Sequence, residues 1–120
     1  MSKLTSEYIR HILKEIEFLA GQTQNLSEDQ FMRDETVERA FARSLEIIGE
    51  AIKLIPDDVK TRYPAVDWRS FAGLRDKLIH HYFGVDYSLV WDVVKNELPQ
   101  LKPHLEQMLI DETQKRENVI

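Results

Sequence analysis

Residues 34–56 read DETVERAFARSLEIIGEAIKLIP, and this stretch decides the fold class. Val37, Ala40, Phe41, Ser44, Leu45, Ile48, Ala51, Ile52 and Ile55 recur at three- and four-residue steps, which predicts a helix from Glu35 to Ile55 with one buried face. Asp34 supplies an acceptor for the free amides of its first turn, and acidic residues there suit the helix dipole. Pro56 ends it, because proline has no amide to donate and crowds the preceding turn. Gly49 lies inside the helix and would let another backbone approach closely. Glu46 and Glu50 share a face and read as a solvated or interface-facing pair; a buried polar pair or an acid/base couple is the alternative.

The flanking chain repeats the theme. Ile9, Ile12, Leu13, Ile16, Leu19 and Ala20 form an apolar stripe on a first helix from Thr5 to about Gln22, with His11 off its centre at the surface. Ser27-Glu28-Asp29-Gln30 matches a capping box opening a short turn through Met32. Pro56-Asp57-Asp58-Val59 begins another single turn that closes at Tyr63-Pro64. Asp67 caps a third main helix, Trp68 to about Tyr82, buried through Phe71, Leu74, Leu78 and Ile79. After an exit at Phe83-Gly84-Val85, Asp86 caps a fourth, with Leu89, Val90, Val93, Val94, Leu98 and Leu101 inward. Pro99 and Pro103 predict a kink or split near Asn96. Helical spacing resumes at Leu105, Met108 and Leu109. The reading is an all-α, antiparallel up-and-down bundle of four main helices plus short helical turns. One domain covers residues 1–110, and a polar, fraying tail covers 111–120.

Composition narrows the chemistry. The chain of 120 residues is long enough for one core, and it has no cysteine, so disulfides, thiolate metal sites and a cysteine nucleophile are excluded. No run is apolar enough for a membrane span and no signal-peptide core opens the chain, so a cytoplasmic protein is expected. The net charge is -5, yet Lys60–Tyr82 holds five basic residues (Lys60, Arg62, Arg69, Arg75, Lys77) against Asp67 and Asp76. A local positive island suits a polyanion gripped at one place, although ordinary scatter of surface charge gives the same count. No histidine follows a carboxylate at the spacing of a di-iron bundle, and adjacent His80 and His81 point about 100° apart on a helix, so no metal site or cofactor is expected. Phosphate-loop and dinucleotide motifs are absent.

The chemistry concentrates in Gly73–Gly84, GLRDKLIHHYFG, which contains Arg75-x4-His80-x-Tyr82. On a helix, Asp76 and His80 would stand one turn apart and hydrogen-bond, and Arg75 and Tyr82 would share a second stripe. Arg75 and His80 would flank a patch about 140° wide. They would meet through the length of the arginine or across a two-fold axis between subunits. Histidine titrates near neutrality and serves as base or acid, and arginine grips two phosphate oxygens without losing its charge. One histidine cannot do both jobs in one turnover, and a symmetric dimer would supply two. The plain alternative is a surface Arg75–Asp76 pair with His80 as a cation on the helix dipole.

Arg-x4-His-x-Tyr resembles the signature of HEPN-domain ribonucleases, specifically the HepT-like toxins that pair with a minimal nucleotidyltransferase antitoxin. The resemblance runs through Ser44–Ala51, Trp68-Arg69, Gly73–Asp86, Val90-Trp91 and Glu97-Leu98-Pro99 in the family's order. It implies a HEPN-like homodimer acting as a metal-independent endoribonuclease toxin of a type II/VII-like toxin–antitoxin pair. Arg75 and His80 would be catalytic, with Asp76, Lys77 and Tyr82 in support. It also implies an MNT-type nucleotidyltransferase antitoxin that silences the toxin by attaching AMP to Tyr82. Members often carry asparagine after the arginine; Asp76 would orient His80 but repel phosphate. The competing expectation is a non-catalytic helical subunit that docks onto a nucleotidyltransferase or binds a nucleotide.

Overall fold

A computed structural model describes the backbone of residues 1–80 and 84–118 and the side chains of residues 1–79 and 84–114. In chain order the elements are α1 (Lys3–Thr23), α2 (Glu28–Arg33), α3 (Glu35–Leu54), α4 (Asp57–Thr61), α5 (Trp68–Ala72), α6 (Leu74–Leu78), β1 (Ile79–His80), β2 (Gly84–Val85), α7 (Tyr87–Asp92), a π-helical turn (Val93–Glu97) and α8 (Leu98–Asn118). Among the described residues the architecture is helical apart from the two-residue β1–β2 pair. Among the described residues three helices are long, α1, α3 and α8, where four were expected.

α3 is the hub. It packs against α1 on one side and α5, α6 and α7 on others, and α8 closes over α1. Ile9, Ile12, Leu19, Phe41, Leu45, Ile48 and Ile52 are fully buried between α1 and α3, as their spacing predicts. α1 and α3 also share a polar contact, since Ser44 Oγ donates to Glu15 Oε2 at 3.0 Å. The short α2 holds because its capping box forms and Phe31 is buried. The Phe31 ring lies 5.0 Å from that of Phe41 and 5.2 Å from that of Trp91, stitching α2 to α3 and α7. The caps at Asp34, Asp67 and Asp86 form as expected. Ser2 caps α1, which starts two residues before the expected Thr5.

One expectation changes and another takes a specific form. The third main helix does not run to Tyr82. Gly73 (φ -88°, ψ 9°) leaves helical geometry and divides the run into α5 and α6, and α6 stops at Leu78. Spacing cannot see this stop, because Ile79 continues the apolar period while its backbone is already extended (φ -102°, ψ 112°). The kink or split that the prolines predict near Asn96 takes the form of a π-helical turn, Val93–Glu97, between α7 and α8. The Leu98 amide donates to the carbonyl of Val93, five residues back, and this single π turn carries α7 into α8 across Pro99. α8 then continues to Asn118, and Glu112 is buried, with one oxygen 3.4 Å from Arg62. Among the described residues no helix is long and apolar enough to cross a membrane.

Candidate functional site

The basic island is built from the turn that ends α4, at residues 60–63, and from α5 and α6. Asp67 opens α5 by accepting from the Ser70 amide at 3.1 Å. The Trp68 indole N–H then donates to the carbonyls of Lys60 (3.2 Å) and Tyr63 (3.0 Å), fastening α5 to that turn. Tyr63 in turn donates to Asp111 on α8 at 3.1 Å. Burial, followed by that hydrogen bond and the Asp111 charge, raises the Tyr63 pKa. The Gly73 carbonyl accepts from the Lys77 amide at 3.0 Å and so opens α6.

α6 has only five residues, and its two faces are sharply divided. Leu74 and Leu78, four apart, are buried toward α3. The three residues between them, Arg75, Asp76 and Lys77, are therefore left exposed. Lys77 Nζ stands 3.9 Å from Glu97 Oε1, at the end of the π turn. Arg75 and Asp76 form no hydrogen bond or ion pair among the described residues, and neither does Arg69. Arg62, by contrast, is spent on buried Glu112. Of the five island cations, Arg69 and Arg75 are thus exposed guanidinium groups without a protein partner among the described residues.

Beyond α6 the chain turns back on itself. Ile79 pairs with Val85 and His80 with Gly84 in antiparallel register. The Asp86 amide closes the pair by donating to the carbonyl of Leu78 at 2.8 Å. Gly84 has φ +79°, a left-handed conformation that a Cβ would strain. Asp86 Oδ1 then accepts from Leu89 and starts α7.

This geometry corrects the helical placement of the motif. His80 lies on extended backbone, so Asp76 and His80 are not stacked one turn apart, and the angle expected between Arg75 and His80 does not apply. Tyr82 lies outside the described residues, and so does the side chain of His80. Arg75 and the backbone of His80 stand at the two ends of one short segment, Arg75 on the helix and His80 in the strand pair. Glu46 and Glu50 are each met on their own helix, by Arg43 at 3.5 Å and Lys53 at 3.4 Å. His11 is exposed, as expected. Among the described residues no three His, Asp or Glu side chains form a group that could hold a metal ion.

Sequence reasoning missed three contributors: the Gly84 turn that pairs with His80, the Glu97 contact to Lys77, and the burial of Glu112. The last had a signal. Leu101, Leu105, Met108 and Glu112 continue one stripe at steps of four, three and four.

The family described as ribonuclease HepT-like matches residues 12–108. The chain belongs to the HepT-like family. A protein of Caldanaerobacter subterraneus subsp. tengcongensis named "Putative RNase" is 43% identical over 107 residues, spanning 89% of this chain and 96% of the relative. A Methanocaldococcus jannaschii protein of the same name is 40% identical over 94% of this chain and 93% of its own length. A Thermococcus cleftensis protein named "Probable ribonuclease HepT" is 41% identical over 90% of this chain and 98% of its own. No solved structure gives a significant match. The HepT-like match takes in α3, α5, α6 and the strand pair, so Arg75 and His80 fall within it.

Proposed function

We propose that this HepT-like chain is a metal-independent endoribonuclease toxin in which Arg75 and His80 act together at a cleft between two copies. The single observation that supports it most is Arg75 itself. It is an exposed guanidinium with no protein partner among the described residues, on a helix whose buried leucines fix its direction. Such a group is available to pair two phosphate oxygens and to hold the charge that grows on them during attack.

In the proposed reaction the ribose 2′-oxygen attacks the adjacent phosphorus and the bond from phosphorus to the 5′-oxygen breaks. The 2′-hydroxyl proton goes to one imidazole, and a second protonated imidazole supplies a proton to the departing 5′-oxygen. The products are a 2′,3′-cyclic phosphate and a free 5′-hydroxyl. His80 from each of two copies gives the base and the acid. Asp76 and Lys77 tune the approach of the strand, since the carboxylate opposes phosphate and the ammonium favours it.

Control of the toxin is assigned to an MNT-type nucleotidyltransferase antitoxin. The Tyr82 hydroxyl attacks the α-phosphate of ATP, pyrophosphate leaves, and the attached AMP places bulk and negative charge next to Arg75 and His80. The test is cleavage of single-stranded RNA by the purified chain in the presence of a chelator, with product ends identified by mass. Arg75→Ala and His80→Ala should each abolish the cyclic phosphate product. Equal cleavage by both variants and the parent would reject the assignment. A chain that never cuts RNA yet forms a stable complex with the nucleotidyltransferase would instead be the docking subunit.

A further inference from the structure

A recess of about 200 Å³ opens beside the basic island, where α5 faces the start of α8. Asp67, Ser70 and Phe71 line one side; Glu97, Gln100 and His104 line the other. The π turn has a part in shaping it. A π turn holds one residue more than an α turn, which rotates every later side chain by about 100° relative to an unbroken α-helix. Glu97 is the last residue of that turn, and Gln100 and His104 follow it.

The lining restricts the ligand. Two carboxylates repel a phosphate, so an anion is a poor fit. Three potential metal ligands, Asp67, Glu97 and His104, line the recess, but no trio among the described residues is close enough to hold a metal ion. What remains is a neutral group that offers N–H donors to carboxylate oxygens. Asp67 gives one oxygen to the Ser70 amide, and Glu97 has one oxygen 3.9 Å from Lys77. Each carboxylate has further acceptor capacity, and Gln100 adds both a donor and an acceptor. The half-buried Phe71 ring offers an aromatic surface to a flat ligand, and single-stranded RNA bases are commonly read by such stacking plus hydrogen bonds to their pairing edge. Guanine is the RNA base whose pairing edge presents two neighbouring N–H donors, the pair that a single carboxylate accepts side by side.

We propose that this recess is a base-recognition subsite that takes guanine from the RNA strand next to the scissile bond. The assignment rests on the RNA-cleavage reading of the neighbouring centre. Its connection to that centre is the Lys77–Glu97 contact, which joins a wall of the recess to the helix that carries Arg75.

Titration of the full-length chain with guanosine and, separately, uridine, followed by amide NMR, tests the site without involving phosphate or cleavage. Guanosine should shift the amides of Ser70, Phe71, Gln100 and His104 saturably, and uridine should not. Glu97→Gln should weaken guanosine binding at least about ten-fold while leaving the fold intact. Asp67→Asn is a second probe that keeps helix capping, since asparagine caps as well as aspartate. Equal responses to the two nucleosides, or shifts that map away from these four residues, would overturn the subsite. RNA cleavage that shows no guanine preference at the cut, with no guanosine binding, overturns the subsite alone. Guanosine binding without any RNA cleavage keeps the guanine site and removes the nuclease reading.

Discussion

Gly49 on α3 lies directly against the carbonyl oxygen of Phe71 on α5: a Cβ added at position 49 would stand 3.3 Å from that oxygen and 3.6 Å from the Cβ of Leu74. The glycine lets the junction of α5 and α6 settle closely onto α3, and α6 carries the exposed Arg75. Alanine at 49 gains about 1 kcal/mol of helix propensity, against about 1–3 kcal/mol for overpacking a closed contact. Gly49→Ala should therefore change stability by no more than about 1–2 kcal/mol. Gly49→Val adds bulk and a branched Cβ with no propensity gain comparable to alanine's, and should lose about 2–3 kcal/mol. Urea unfolding of the three proteins checks the order, and a valine variant as stable as the parent would mean that the helices do not meet there.

Arg75 separates catalysis from folding. It is exposed and has no partner among the described residues, so Arg75→Ala should leave stability within about 0.5 kcal/mol of the parent. Cleavage should fall at least about 100-fold, the typical loss when one preorganised donor to a developing oxyanion is removed. Arg75→Lys keeps the charge but not the two-pronged geometry and should restore only a small part. Thermal melting beside single-turnover cleavage reads both quantities. A lysine variant with full activity would reduce the role of Arg75 to that of a point charge.

Much of this fold is legible in the chain because it is local. The capping side chains of Ser27, Asp34, Asp67 and Asp86 act within three residues, and the apolar stripes of α1 and α3 repeat without interruption. The same local rules fail between Gly73 and Val85. Leu74, Leu78 and Ile79 keep helical spacing, so nothing in the period marks the end of α6. What ends it is a pairing of Ile79 and His80 with residues six and four positions ahead, secured by the positive φ of Gly84 and the Asp86 amide. The exposure of Arg75 follows from its neighbouring leucines and was readable; the extended backbone at His80 was not. The π turn escaped for a related reason, since the prolines announce a disturbance near Asn96 but not which hydrogen bonds absorb it.

That strand pair makes its own prediction. Among the described residues nothing lies within 4 Å of a Cβ built at position 84, so the penalty there is assigned to backbone conformation. Gly84→Ala should cost about 1–2 kcal/mol, the usual penalty for a left-handed residue carrying a Cβ. Gly84→Asn should cost less, because asparagine tolerates that region better. Because Gly84 is the pairing partner of His80, cleavage should fall further than stability does. Denaturant unfolding and cleavage rates measured on the same preparations check this. A Gly84→Ala chain that keeps full activity would show that the pairing is not needed to position His80.

Glu38 gives a pH dependence whose sign can be worked out. It is buried on the first turns of α3, and burial, followed by the nearby charges of Glu35 and Asp34, raises its pKa above the ordinary glutamate value. The folded chain therefore holds a proton on Glu38 at pH values where the unfolded chain has released it. Stability must then fall as pH rises from the ordinary glutamate range to the raised folded value, and stay reduced above it. Glu38→Gln keeps the size of the side chain and removes the titration. The variant should melt above the parent near neutrality, and the difference should shrink toward zero as the medium is brought below the usual glutamate pKa. Melting curves across that range decide it. A gap that widens on acidification would mean that ionised Glu38 is held by a favourable partner and that its pKa is lowered.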